Sequence, residues 1–179
     1  MKYFIHFLTF FRIVSAPIIF ILITFFHFYG FALVLFLLAS LSDYWDGFFA
    51  RRYNLESVFG AILDPIADKI LVIFLTFAFS IEFSSLFIAF IGGLILAREF
   101  WVSALRDLNA REGNSNLTQV TFLAKLKTAT QFISFFGFLF GLFINNTLII
   151  LISNFFLFLA LIITLQTGLS YTIATFKRV

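Results

Sequence analysis

No cysteine occurs in the 179 residues, so disulfides, thiolate metal sites and cysteine nucleophiles are excluded, while the redox compartment stays open. Charge is scarce too. Only 12% of the chain is Asp, Glu, Lys or Arg against 62% hydrophobic residues, a balance that excludes an ordinary soluble domain. There is no internal repeat, no low-complexity tail and no nucleic-acid signature beyond basic flanks. What the chain does hold is apolar stretches of about 20 residues, each enough to cross roughly 30 Å of hydrocarbon as a helix. The 31 phenylalanines serve as lipid-facing bulk where leucine would do equally well.

The apolar runs place spans at 10–28, 30–50, 60–81, 86–106, 121–144 and 147–170. The expected fold is therefore all-α, a polytopic membrane protein of six transmembrane helices forming one domain over 1–179. The first run is too long for a cleaved signal peptide, carries Arg12 near its start and lacks a small-residue cleavage pattern, so it is expected to persist. Basic residues mark the cytoplasmic side: Lys2 and Arg12, Arg51 and Arg52, Arg106 and Arg111, Lys125 and Lys127, Lys177 and Arg178. The opposite turns, His27 to Gly30, Glu82 to Ser85 and Asn145 to Thr147, hold neither Lys nor Arg. Both termini are thus expected on the cytoplasmic side. Arg12 and Arg106 read as orienting or headgroup-contacting charges, and the interval Asp107 to Gln119 as a cytoplasmic loop.

An ionised side chain in hydrocarbon costs at least a few kcal/mol unless it is paired, ligated or wet. Four acids sit in such positions. Asp43 and Asp46 close the second span, and Asp64 and Asp68 open the third, with spacings of three and four that put each pair on one helix face. With the two helices as antiparallel neighbours, the pairs would lie at one depth and converge. Clustered carboxylates repel unless cations neutralise them, and hard oxygen ligands select Mg²⁺ or Mn²⁺. Gly47, Ala50 and Gly60 leave space beside the acids, Arg51 can meet anionic oxygens, and Pro65 frees a backbone carbonyl that lets the third helix bend. Such a site suits an amphiphile whose phosphate lies at headgroup depth.

In order, the segment is Asp43-Tyr-Trp-Asp46-Gly47-Phe-Phe-Ala50-Arg51, eight residues, then Gly60-Ala-Ile-Leu-Asp64-Pro-Ile-Ala-Asp68. It resembles the D-x-x-D-G-x-x-A-R-x8-G-x-x-x-D-x-x-x-D motif of the CDP-alcohol phosphatidyltransferases, with every fixed position filled. The resemblance implies that Asp43, Asp46, Asp64 and Asp68 bind one or two divalent ions and that Asp68 is also the catalytic base. It implies that Asp43, Gly47, Ala50, Arg51 and Gly60 contact the CDP moiety. The acceptor oxygen would attack the phosphorus bearing diacylglycerol and expel CMP. It further implies a homodimer in a bacterial inner membrane, with the active site on the cytoplasmic side.

The motif is common to members with different acceptors. Leu-Thr-Phe-Phe-Arg12 with Pro17, Ala97-Arg98-Glu99, Ser103 to Arg106, and Ala124-Lys125-Leu-Lys127-Thr128 with Gln131 resemble the bacterial members that use glycerol 3-phosphate. Ala124 stands where that group often has glycine. Arg98, Lys125 and Lys127 are the expected acceptor-phosphate ligands, since two negative charges call for a cationic cluster. A cardiolipin or phosphatidylserine synthase is the neighbouring alternative within the family. A divalent-cation transporter is the alternative of another class, and it would spread acids across the membrane depth, where the outer turns offer only Glu82.

Overall fold

The computed structural model describes the backbone of residues 2–52 and 58–177; the side chains of 2–5, 44, 46–51, 58–62 and 115 fall outside the description. Six long helices make up nearly all of it: α1 Lys2–Thr24, α2 Tyr29–Arg52, α3 Val58–Glu82, α4 Leu86–Arg111, α5 Phe122–Phe143 and α6 Thr147–Phe176. A short 3₁₀ turn, Ser115–Thr118, lies between α4 and α5. No strand occurs among the described residues. Helix α4 runs to Arg111, five residues beyond the expected end of its span, so the polar interval after it is shorter than the sequence suggested.

Four stretches are long and apolar enough to cross a membrane: His6–Thr24, Leu86–Arg111, Asn116–Phe143 and Thr147–Phe176. This is a multi-pass membrane protein. The apolar part of α2 seen over Tyr29–Asp43 is shorter, and α3 carries Asp64, Asp68, Lys69 and Glu82 among its 25 residues. Those two helices differ from the rest in carrying the charged residues Asp43, Asp64, Asp68 and Lys69 within or beside their apolar runs.

The helices close into a ring. Each packs mainly on two neighbours, in the order α1, α2, α5, α6, α4, α3 and back to α1. Among the described residues α2 and α3 pack mainly on α1 and not on each other, which departs from the expectation that they are direct neighbours. Helix α1 stands between them, and both lean on it.

Sequence periodicity explains which faces turn inward. Along α5, Lys127, Gln131, Ser134, Phe138 and Gly141 are buried at intervals of three and four, one stripe of a helix. The half of the ring away from the acids is filled by Ile19, Ile23, Phe36, Leu75, Phe79, Ile88, Phe135 and Phe138, with Phe79 and Phe138 ring centres 5.0 Å apart. Outward, Phe31, Phe90 and Leu151 are exposed, as lipid-facing residues of a membrane bundle would be. Gly92 of α4 meets the Thr76 side chain of α3 so closely that a Cβ would not fit, which lets these helices approach.

The turns at the apolar end are chemically tied. Ser84 and Asn145 take positive φ, and the amide after each reaches back five residues, to Ser80 and Gly141. Tyr29 Oη donates to Glu82 Oε1 at 2.5 Å, and His27 Nδ1 lies 3.3 Å from Glu82 Oε2. Glu82 therefore fastens the turn between α1 and α2 to the turn between α3 and α4.

Candidate functional site

At the other end of the ring the core becomes polar. Arg12 of α1 is fully buried, and its Nη1 donates to Asp43 Oδ1 at 2.9 Å and to Asp68 Oδ1 at 2.7 Å. Two carboxylates from different helices thus meet on one guanidinium nitrogen. One helical turn before it, Thr9 Oγ1 donates to Asp64 Oδ1 at 2.9 Å. The spacing of three puts Thr9 and Arg12 on the same face of α1, so this helix holds Asp43 of α2 and both Asp64 and Asp68 of α3. The carboxylates of Asp43 and Asp68 remain about half exposed beside a cavity.

That cavity, about 110 Å³, is walled by Asp43, Asp68, Lys69, Glu99, Lys127, Thr128 and Gln131, with Val72, Leu96 and Phe132 as its apolar side. A second, about 310 Å³, adjoins it and shares Asp68, Lys69, Glu99, Lys127 and Thr128. Its other walls bring Asp64, Arg98, Ser103, Arg106 and Val120. Asp68 belongs to both, at their junction.

The cations around these spaces are held in different ways. Lys127 is buried and ion-paired with Glu99. Lys69 donates to Ser103 Oγ at 2.6 Å and lies over the Phe100 ring. Arg98 is 9% exposed, and its Nη2 donates to Thr167 Oγ1 of α6 at 2.6 Å. Gly168 makes this possible, since a Cβ there would stand 2.9 Å from Arg98 Cγ. Tyr171 carries both Arg98 and Arg106 over its ring, donates to the Gln119 carbonyl at 2.9 Å, and accepts from the Thr121 amide. The segment before α5 is thereby fastened over the second cavity.

The family model of CDP-alcohol phosphatidyltransferase matches residues 5–166. The chain belongs to that family. It is 34% identical over 167 residues to the CDP-diacylglycerol–glycerol-3-phosphate 3-phosphatidyltransferase of Wigglesworthia glossinidia brevipalpis, covering 92% of this chain and 90% of that one. It is 34% identical over 131 residues to the protein of the same name from Salmonella choleraesuis (strain SC-B67), 71% of each chain. The Escherichia coli (strain K12) protein of that name is 36% identical over 103 residues, 58% of this chain and 57% of its own.

In this phosphatidyltransferase the structure brings together Asp43, Asp64 and Asp68 of the expected metal ligands. Asp46, Gly47, Ala50 and Arg51 lie on the last turns of α2 and Gly60 near the start of α3, and their side chains are outside the description. Among the described residues no group of three or more His, Cys, Asp or Glu has metal-holding geometry. The donor set still fits a hard cation, because the oxygens of Asp43 and Asp68 already converge on a positive charge. Of the expected phosphate ligands, Arg98 and Lys127 line the second cavity, whereas Lys125 is exposed and lines neither.

Arg12 and Arg106 are expected from the sequence as orienting or headgroup-contacting charges, and Lys69 has no expected site role. Arg12 was read as an orienting charge, and its burial between two acids corrects that reading. A cation inside an apolar run was the available signal, and Thr9 one turn away strengthened it. Lys69 and Arg106 join the second cavity although nothing local marks them for it.

Proposed function

We propose that this chain transfers the phosphatidyl group of CDP-diacylglycerol to glycerol 3-phosphate, giving phosphatidylglycerol phosphate and CMP. The observation that carries the reading is the junction at Asp68, where a carboxylate pair gathered on Arg12 opens into a cavity flanked by Lys69, Arg98, Arg106 and Lys127. A carboxylate centre beside a cationic pocket is what a pyrophosphate donor and a phosphorylated acceptor need together.

In this reading Asp43, Asp46, Asp64 and Asp68 hold one or two Mg²⁺ or Mn²⁺ ions, which when bound offset charge building on the pyrophosphate oxygens. Asp43, Gly47, Ala50, Arg51 and Gly60 receive the CDP moiety. Arg98 and Lys127, with Lys69 and Arg106, receive the acceptor phosphate. Asp68 takes the proton of the acceptor hydroxyl as its oxygen attacks the phosphorus bearing diacylglycerol. The new O–P bond forms, the pyrophosphate P–O bond breaks, and the electron pair leaves with CMP. Arg12 keeps Asp43 and Asp68 together, and Glu99 holds Lys127 in place between the cavities. The chain works as a six-span domain over 1–179, as a homodimer in a bacterial inner membrane, with both termini and the site on the cytoplasmic side.

The test is purified protein in lipid with CDP-diacylglycerol, Mg²⁺ or Mn²⁺, and glycerol 3-phosphate, serine, inositol or phosphatidylglycerol as acceptor. CMP release fastest with glycerol 3-phosphate is expected. A better rate with another acceptor would move the chain to a different branch of the family.

A further inference from the structure

Gln131 lines the smaller cavity from α5, one turn beyond Lys127 and beside the carboxylates of Asp43 and Asp68. It is 3% exposed, and its Nε2 is buried with no hydrogen-bond partner among the described residues. A buried amide in this condition costs stability unless water or a ligand supplies the missing bond. Lys127 is engaged by Glu99, Lys69 by Ser103 and the Thr128 hydroxyl by the Ala124 carbonyl, so the Gln131 amide is the neutral group of this wall with a donor to spare.

We propose that Gln131 reads the acceptor's middle hydroxyl and makes this site select a vicinal diol phosphate. The inference rests on the acceptor reading above and deepens it. Arg98 and Arg106 line the second cavity and not the smaller one, while Gln131 lines the smaller and not the second. Asp68 stands at their junction. A three-carbon acceptor with its attacking hydroxyl at Asp68 and its phosphate among the arginines has one oxygen left, on the central carbon. That oxygen is uncharged and both donates and accepts. An amide suits it, whereas a further cation would be wasted on it.

The experiment compares glycerol 3-phosphate with 1,3-propanediol monophosphate, which lacks the middle hydroxyl, in the wild type and in Gln131→Met. The wild type is expected to favour glycerol 3-phosphate in kcat/KM by at least about tenfold, as sites built to bind a hydroxyl reject analogues without it. In Gln131→Met the preference should fall to within about threefold through loss on glycerol 3-phosphate, with the diol analogue little changed. Gln131→Asn, which keeps the amide but shortens its reach, should show the same collapse and serves if the Met variant does not fold. A wild type that turns over both acceptors equally, or a variant that keeps the full preference, overturns the assignment of Gln131 alone. A wild type that releases no CMP with glycerol 3-phosphate overturns the acceptor reading as well.

Discussion

Arg12 is the residue on which the site turns. A guanidinium is planar and presents several donors, so it can hold two carboxylates in a fixed relation where an ammonium, a point charge on a flexible stem, cannot. Arg12→Lys should therefore keep the charge and lose the geometry: activity falling by about tenfold or more, and stability in detergent falling by about 1–3 kcal/mol as buried groups lose partners. CMP release and a thermal melt measure both, and a variant with wild-type turnover would show that Arg12 does not position the acids. Asp43→Asn and Asp68→Asn preserve shape and remove a charge. Each should cost about a hundredfold or more in turnover while the protein still inserts and purifies as before. Near-normal rates in either would remove the carboxylate centre from the mechanism.

At the scale of elements, the seam between α4 and α6 is a ladder of polar contacts. Arg98 reaches Thr167, Trp101 reaches Thr172, and Asn109 reaches Thr175, each α6 partner a threonine. Small residues let two membrane helices come close, and hydrogen bonds across them then fix the rotation of one against the other. Gly168 is the tightest of these places for the site, because it leaves room for the stem of Arg98. Gly168→Val should push Arg98 aside and raise KM for glycerol 3-phosphate about tenfold, leaving KM for CDP-diacylglycerol nearly unchanged. An equal rise in both would assign Gly168 to general packing. Pro65, which lies inside α3, does not interrupt that helix on its way to Asp68 and Lys69.

Across the described residues, aromatic packing fills one end of the bundle, where Glu82 is the acid, while Asp43, Asp64, Asp68 and the cations around the two polar cavities lie at the other. The absence of cysteine makes the orientation simple to measure, since an introduced thiol is the sole reactive one. Asn116→Cys, before α5, should react with an impermeant maleimide only from the cytoplasmic side, and Leu86→Cys, at the exposed start of α4, only from the opposite side. Reaction of both from one side would refute the proposed topology.

The membrane class and the helices were legible in the sequence, as was the placing of Asp43, Asp64 and Asp68 within them, because each depends on neighbours along the chain. A run of about 20 apolar residues fits a bilayer whatever surrounds it, and residues three or four apart share a helix face by the geometry of the helix alone. The ring order was not legible, since it depends on which helix faces pack together. Reading α2 and α3 as direct neighbours followed from their adjacency in sequence, yet α1 stands between them and supplies Arg12 from 56 residues away. The same limit hid Lys69, Arg106 and the unpartnered amide of Gln131. A side chain's charge is written in the sequence, but what it touches across the bundle is decided only when the helices pack.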